Sequence, residues 1–90
     1  MTEVSDHEDF VLRYMLDIED EPFTAAQRSP EMIRHRFMLS NIEVTDQHVM
    51  HLQWSLCKKG LLDKRTTPDG VRFKISPKGK LFCKRNGITP

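Results

Sequence analysis

The chain has 90 residues, of which 38% are hydrophobic and 30% are charged, and its net charge is +1. That length supports one domain with a single modest core, and that composition excludes a disordered chain. No apolar run approaches the roughly 18 residues of a membrane-spanning helix, and the acidic N-terminus differs from a signal or transit peptide. We therefore expect one cytoplasmic (or nucleoid-associated) domain over residues 1–90, with disordered tails at 1–5 and 87–90.

The charges are unevenly distributed along the chain. Residues 1–31 contain nine acidic and two basic side chains, whereas residues 32–90 contain twelve basic and four acidic ones. From Lys58 onward there are ten bases and only two acids. Such a difference between halves indicates a polyanionic partner for one surface, although a solvated basic tail would give the same count.

The first two predicted elements are helices that begin at capping signals. The Ser-Asp-His-Glu motif that starts at Ser5 has the spacing of a capping box. Apolar residues then recur at helical spacing, which predicts a helix over 6–20. Ser29 and the proline after it are a second helix start, and they predict a helix over 30–39. The outer face of the first helix is acidic, so we expect it to point away from any polyanion.

The third predicted helix has one apolar and one polar side. Before it, residues 42–44 alternate like one short strand. Thr45 is a favourable N-cap and Gly60 a favourable C-terminal stop, which predicts a helix over 45–59. Its apolar residues cluster on one side. The opposite side carries amide, imidazole, indole, hydroxyl and amine groups, which belong to Gln47, His51, Trp54, Ser55 and Lys58.

A β-hairpin is predicted over 63–75. In its second strand apolar residues alternate with bases, and the Pro-Asp-Gly link before that strand is typical of a hairpin turn. Ser76 and the proline after it start a short last helix that ends near Arg85. Cys57 and Cys83 lie among apolar neighbours at no metal-binding spacing, so we expect reduced, partly buried thiols.

The element order resembles a known family. The predicted order α-α-β-α-β-β-α, an α+β arrangement with a three-helix core, a C-terminal hairpin and a short last helix, is similar to the winged helix-turn-helix domain. The likeness rests on the segments HVMHLQWSLCKKGLLDKR and ISPKGKLF and covers about residues 29–83. The chain resembles the small phage and bacterial winged-helix transcription regulators. Gln53 departs from the family, which usually has an aliphatic residue there, so the register of the third helix is open by one step.

The resemblance implies double-stranded DNA binding by a small transcriptional regulator, and it leaves open whether the regulator is a homodimer. Helix 45–59 would enter the major groove, and the wing 63–75 would contact the backbone or minor groove. The candidate base contacts are Gln47, His48, His51 and Ser55. The candidate backbone contacts are Lys58, Lys59, Lys64, Arg65, Arg72, Lys74 and Lys78.

Some candidates also have purely structural interpretations. Gln47 and His51 would be ordinary solvated helix positions in a protein that binds no DNA. Trp54 lies off the apolar side, and we expect it to pack against Arg72 or Phe73 of the hairpin rather than on DNA or in a dimer interface.

Function classes other than DNA binding have less support in the sequence. A winged helix can also serve as a protein–protein interaction module, since function depends on the site and not on the fold. An exposed apolar patch would favour that alternative. No nucleophile–base pattern, carboxylate pair or glycine-rich phosphate loop is present, so neither an enzyme nor a cofactor is predicted. His48 and His51 lie one turn apart, but no further ligand has useful spacing, so no metal site is predicted.

Overall fold

The computed structural model describes residues 3–90, which form an α+β fold of four α-helices and one antiparallel two-stranded sheet. The Cα radius of gyration is 12.0 Å, as expected for a compact chain of this length. Within the described range, no helix has both the length and the apolar character that crossing a membrane requires. In chain order the elements are α1 (Asp6–Asp17), a short 3-10 helix (Ala26–Arg28), α2 (Pro30–Leu39), α3 (Asp46–Lys58), β1 (Leu62–Thr67), β2 (Gly70–Ile75) and α4 (Pro77–Arg85).

All four α-helices begin at a hydroxyl side chain that accepts a hydrogen bond from a backbone amide of the first turn. These N-caps are the ones that the sequence predicts. The first helix nevertheless ends at Asp17, three residues before its predicted end at Asp20. No base lies in its last turn, and extending it would place further carboxylates at the negative end of the helix dipole. The N-caps are Ser5, Ser29, Thr45 and Ser76.

The predicted strand at 42–44 is wrong, because this segment is an irregular connection between α2 and α3. The end of α2 sets its path: Asn41 adopts a left-handed conformation with φ 61°, and the amide of Ile42 donates to the carbonyl of Phe37 at 2.9 Å. Both aliphatic residues of the segment pack partly buried against the core. Their alternation therefore reflects burial of a connection, not strand pairing. The observed order is α-α-α-β-β-α.

The core joins all four α-helices and the hairpin. α3 buries Gln53 together with its aliphatic residues, which settles the register of this helix. The segment predicted as a C-terminal tail contributes Ile88, which is 7% exposed, and the carbonyl of Thr89 accepts a hydrogen bond from Arg13. In the predicted N-terminal tail, residues 1–2 lie outside the described residues. The buried apolar cluster comprises Val11, Leu12, Tyr14, Met15, Ile18, Ile33, Phe37, Val49, Leu52, Leu56, Leu61, Leu62, Phe73, Ile75, Cys83 and Ile88.

Gln53 is an unusual member of this core. Its side chain is 1% exposed, and neither amide atom has a hydrogen-bond partner among residues 3–90. A buried polar group without a partner costs roughly 1–3 kcal/mol. We expect Gln53→Leu to raise the free energy of unfolding by about that amount, measured by urea denaturation.

The matched control is Gln47→Leu, which makes the same change at an exposed position of α3. It should alter the free energy of unfolding by less than about 0.5 kcal/mol. A loss of stability in Gln53→Leu would show instead that an internal water pairs the buried amide.

A buried arginine connects the end of α1 to the hairpin. Arg28 is 0% exposed, and its Nη1 donates to the Phe73 carbonyl of β2 at 2.9 Å. Its Nη2 donates to the carbonyls of Ile18 and Glu21, each at 2.7 Å, and its Nε donates to that of Pro22 at 3.0 Å. Burial lowers the pKa of the Arg28 guanidinium, while the charge of Glu21 acts in the opposite direction. The guanidinium therefore fixes the position of β2 relative to α1.

Helix α4 is docked on the turn that follows α3. The Ser76 hydroxyl donates to the carbonyl of Gly60 at 2.6 Å, and the Ser76 amide donates to that of Leu61 at 3.0 Å. Gly79 lies so close to this turn that a Cβ on it would be 2.1 Å from the Leu61 carbonyl oxygen. The Ser-x-x-Gly spacing after β2 thus has a packing cause: serine caps the helix, and glycine allows its backbone to approach.

Candidate nucleic-acid interface

The hairpin follows α3 after a short turn and has one face against the core. Thr67 pairs with Gly70, so the loop between the strands consists of two residues, Pro68 and Asp69, and not the predicted three. The Thr67 hydroxyl closes this loop by donating to the Gly70 carbonyl at 2.8 Å. Phe73 and Ile75 of β2 are buried, which confirms the predicted alternation of this strand.

The exposed side of α3 and the adjacent strand β1 line one open groove, which we call the α3–hairpin surface. Trp54 lines this surface and is 40% exposed. The indole packs edge-on against Phe73 with ring centroids 5.3 Å apart, so the predicted contact with the hairpin is confirmed. The Lys64 ammonium lies 4.9 Å from the centre of the indole. The groove is lined by His51, Trp54, Ser55, Cys57, Lys58 and Lys64.

Three predicted contact residues on the exposed side of α3 are free to meet a ligand; His51 and Lys58 line this surface, and Gln47 lies one turn before His51. Gln47, His51 and Lys58 are all exposed, and no hydrogen bond or salt bridge engages their side chains within residues 3–90. Along one helix face, an amide and an imidazole can donate to and accept from base edges, and an ammonium can donate to phosphates.

Two other predicted contacts, Ser55 and Lys59, are engaged by Glu8, a carboxylate that the sequence predicts only as part of a helix cap. Glu8 of α1 is 6% exposed, accepts from the Ser55 hydroxyl at 2.8 Å and forms a salt bridge with Lys59 at 2.9 Å. Burial raises the pKa of Glu8, but hydrogen bonds from the Ser5 amide, Lys59 and Ser55 outweigh it, so the pKa is lowered overall. This network stabilises the fold above the ordinary carboxyl pKa and is lost as the pH falls through the lowered one.

His48, a further predicted base contact, points toward α1. Its Nε2 lies 3.2 Å from Nδ1 of His7, although the residue itself is exposed. The structure thus separates the predicted base contacts into two groups. Gln47 and His51 face solvent, whereas His48 and Ser55 interact with the first helix.

The predicted hairpin cations are divided between two sides. Lys64 covers Trp54, but Arg65 and Lys74 lie over the ring of Phe23, at 4.7 and 5.0 Å from its centre. Phe23 belongs to the connection between α1 and α2, so this connection covers part of the outer hairpin face. Arg72 donates to the adjacent carbonyl of Val71 at 3.0 Å. Lys78, on α4, lies within 3.3 Å of the Lys59 carbonyl at the end of α3.

Charge neutralisation differs between the two parts of the chain. Acidic residues of α1 and of the turn after it form salt bridges, such as Asp9 with Arg13 and Glu19 with Lys80. Of the ten bases from Lys58 onward, only Lys59 and Lys80 have a carboxylate partner within the part of the chain that the structure describes. The others leave positive charge without a counter-charge, and they are Lys58, Lys64, Arg65, Arg72, Lys74, Lys78, Lys84 and Arg85.

A second exposed surface is apolar and lies at the end of α2. Leu39 is 68% exposed and Met38 is 51% exposed, next to a groove that the α2–α3 connection lines. This surface contains few bases, in contrast to the α3–hairpin surface.

Comparison of the chain with protein-family models, with curated protein sequences and with solved structures found no match.

Proposed function

We propose that this protein is a double-stranded DNA-binding module of the winged-helix type and acts as a small transcriptional regulator. In this proposal α3 lies in the major groove, which admits one α-helix, and the β1–β2 hairpin contacts the adjacent backbone. The observation that carries the proposal is the set of bases without carboxylate partners on α3 and the hairpin, which are Lys58, Lys64, Arg65, Arg72 and Lys74. Phosphates are the natural counter-charge for such a set.

Within this proposal, base contacts and backbone contacts come from different side chains. Gln47 and His51 read base edges, since both are exposed on α3, and a glutamine can bond an adenine in bidentate fashion. Lys58 and Lys64 contact phosphates from the two sides of the groove. Ser55 and Lys59 would contact DNA only after giving up their bonds to Glu8, and His48 only after giving up its contact with His7.

The position of the charges can be tested with two double variants. Lys58→Ala with Lys64→Ala removes two charges from the α3–hairpin surface and should weaken duplex binding about equally for all sequences. It should also make the slope of log affinity against log salt less steep by roughly two, because each phosphate contact contributes about −0.9 to that slope. Fluorescence anisotropy of a labelled duplex over a range of salt concentrations measures both quantities.

Lys84→Ala with Arg85→Ala is the matched control, since it removes the same charge from the end of α4. It should leave the salt slope nearly unchanged. Equal effects of the two double variants would mean that overall charge, and not the α3–hairpin surface, governs binding. Lys64 also packs over Trp54, so its removal could affect folding. Circular dichroism would establish that both double variants are folded.

The second candidate function is a protein–protein interaction module, which the exposed apolar side chains of Met38 and Leu39 favour. Its interface would be the end of α2, not the α3–hairpin surface. A module of that kind would bind no duplex even at low salt, so the same titration separates the two functions.

A further inference from the structure

Two histidines that are far apart in the sequence meet between α1 and α3. Nδ1 of His7 lies 3.2 Å from Nε2 of His48, 41 residues later, and the ring centroids are 5.4 Å apart at an interplanar angle of 77°. His51 lies one helical turn from His48, so the sequence spacing suggests it as the partner of His48. It is not part of this pair. The pair is on the surface, since His48 is exposed and His7 is half-buried.

The His7 ring is held in place by aromatic neighbours. It packs edge-on against Phe37 at 5.4 Å, and Phe37 is stacked on Phe10 at 4.1 Å. His48 lies in the first turn of α3, where its amide donates to the Thr45 hydroxyl at 3.0 Å. Both imidazoles are therefore carried on helices with fixed relative positions, which lowers the cost of bringing two ligands together.

We propose that His7 and His48 form a binding site for a borderline divalent transition-metal ion, with Zn²⁺ as the representative. Zn–N bonds are about 2.0–2.1 Å long, so two nitrogens on a tetrahedral ion lie about 3.3–3.4 Å apart. The observed 3.2 Å separation needs only a small adjustment. Imidazole ligands select zinc, nickel or copper over magnesium and calcium.

The site supplies two ligands. Among residues 3–90 there is no group of three or more histidine, cysteine, aspartate or glutamate side chains that could hold a metal ion. The ion therefore keeps coordination positions for water or for a donor from outside the chain. Bound between the helices, it links α1 to the start of α3 and stabilises the folded state, because the unfolded chain does not hold the two histidines together. This inference is independent of the proposed DNA binding.

The test is thermal unfolding with and without Zn²⁺, using four single variants. Zn²⁺ at a free concentration of about five times its Kd should raise the Tm of the unaltered protein by about 4–8 °C. The rise should be absent in His7→Asn and in His48→Asn. It should persist in the matched controls His35→Asn and His51→Asn, which change the other two histidines, both exposed. Each variant is compared with its own Tm without metal.

A calorimetric titration of the folded protein gives a second readout, with one Zn²⁺ bound per chain expected for the unaltered protein and none for His7→Asn or His48→Asn. Mg²⁺ should produce neither heat nor a rise in Tm. The proposal is overturned if Zn²⁺ fails to raise the Tm, if the rise survives in both His7→Asn and His48→Asn, or if His51→Asn abolishes it.

Discussion

Arg28→Met should lower the free energy of unfolding by about 2–6 kcal/mol, because it leaves two buried carbonyls without their charged donor, at roughly 1–3 kcal/mol each. Methionine fills a similar volume but donates no hydrogen bond. The carbonyls of Ile18 and Phe73, whose bonds to Arg28 are buried, would then lose a donor where water is poorly placed to replace it. The hairpin would also lose its attachment to the end of α1. Urea denaturation followed by circular dichroism measures the change.

Arg34→Met is the control for Arg28→Met. Arg34 forms an exposed salt bridge with Asp46, and its side chain is 38% exposed. Exposed pairs contribute at most about 1 kcal/mol, so this variant should remain close to the unaltered protein. Arg28→Lys should be intermediate, because an ammonium keeps the charge but cannot reach carbonyls on several sides at once. Similar losses in Arg28→Met and Arg34→Met would contradict the role given to the buried guanidinium.

Gly79→Ala should cost about 3 kcal/mol or more, because the added methyl group has no space. Its Cβ would be 2.1 Å from the carbonyl oxygen of Leu61 and 2.9 Å from a side-chain carbon of Ile75. The first neighbour is backbone, so α4 as a whole must move away from the turn after α3. Overpacking of a tight site typically costs 1–3 kcal/mol, and a clash with backbone lies at or beyond the upper end of that range. Chemical denaturation measures the loss.

Gly87→Ala separates this steric effect from the general effect of replacing a glycine. Gly87 has φ +67°, and a Cβ there would meet no atom within 4 Å. Its cost is the left-handed backbone alone, about 1–2 kcal/mol. If Gly87→Ala were as damaging as Gly79→Ala, close packing of α4 against Leu61 would not be the reason for the glycine.

The starts of the helices and the end of α3 followed from the sequence because the forces that set them are local. Ser5, Ser29, Thr45 and Ser76 act on amides within three residues, and Gly60 ends α3 through its own left-handed backbone, with φ +80°. The conformation of residues 42–44 could not be predicted from local signals. An alternating pattern reports that one side is buried, and it does not say whether a partner strand is present.

The candidate site was only partly accessible to such reasoning. Periodicity showed which side of α3 carries polar groups, and Gln47 and His51 are indeed exposed there. It could not show how closely α1 approaches the same helix, so the engagement of Ser55 by Glu8 and of His48 by His7 was missed. These contacts span more than 40 residues and depend on how two helices pack.

Arg28 was missed for the same physical reason. In the sequence it is a charged residue in a polar connection, which usually indicates a solvated side chain. Its acceptors come from the end of α1 and from Phe73, 45 residues later, and only the folded chain brings them around one guanidinium. Buried charge of this kind has no local sequence signature.

Binding to duplex DNA as a function of salt tests the central proposal most directly. If the bases of α3 and the hairpin contact three or more phosphates, log affinity should fall linearly with log salt with a slope of about −3 or steeper. Anisotropy of a labelled random-sequence duplex between 50 and 200 mM salt, roughly the range over which such proteins lose most affinity, gives that slope. No binding at the lowest salt concentration, or an affinity that does not change with salt, would contradict the proposal.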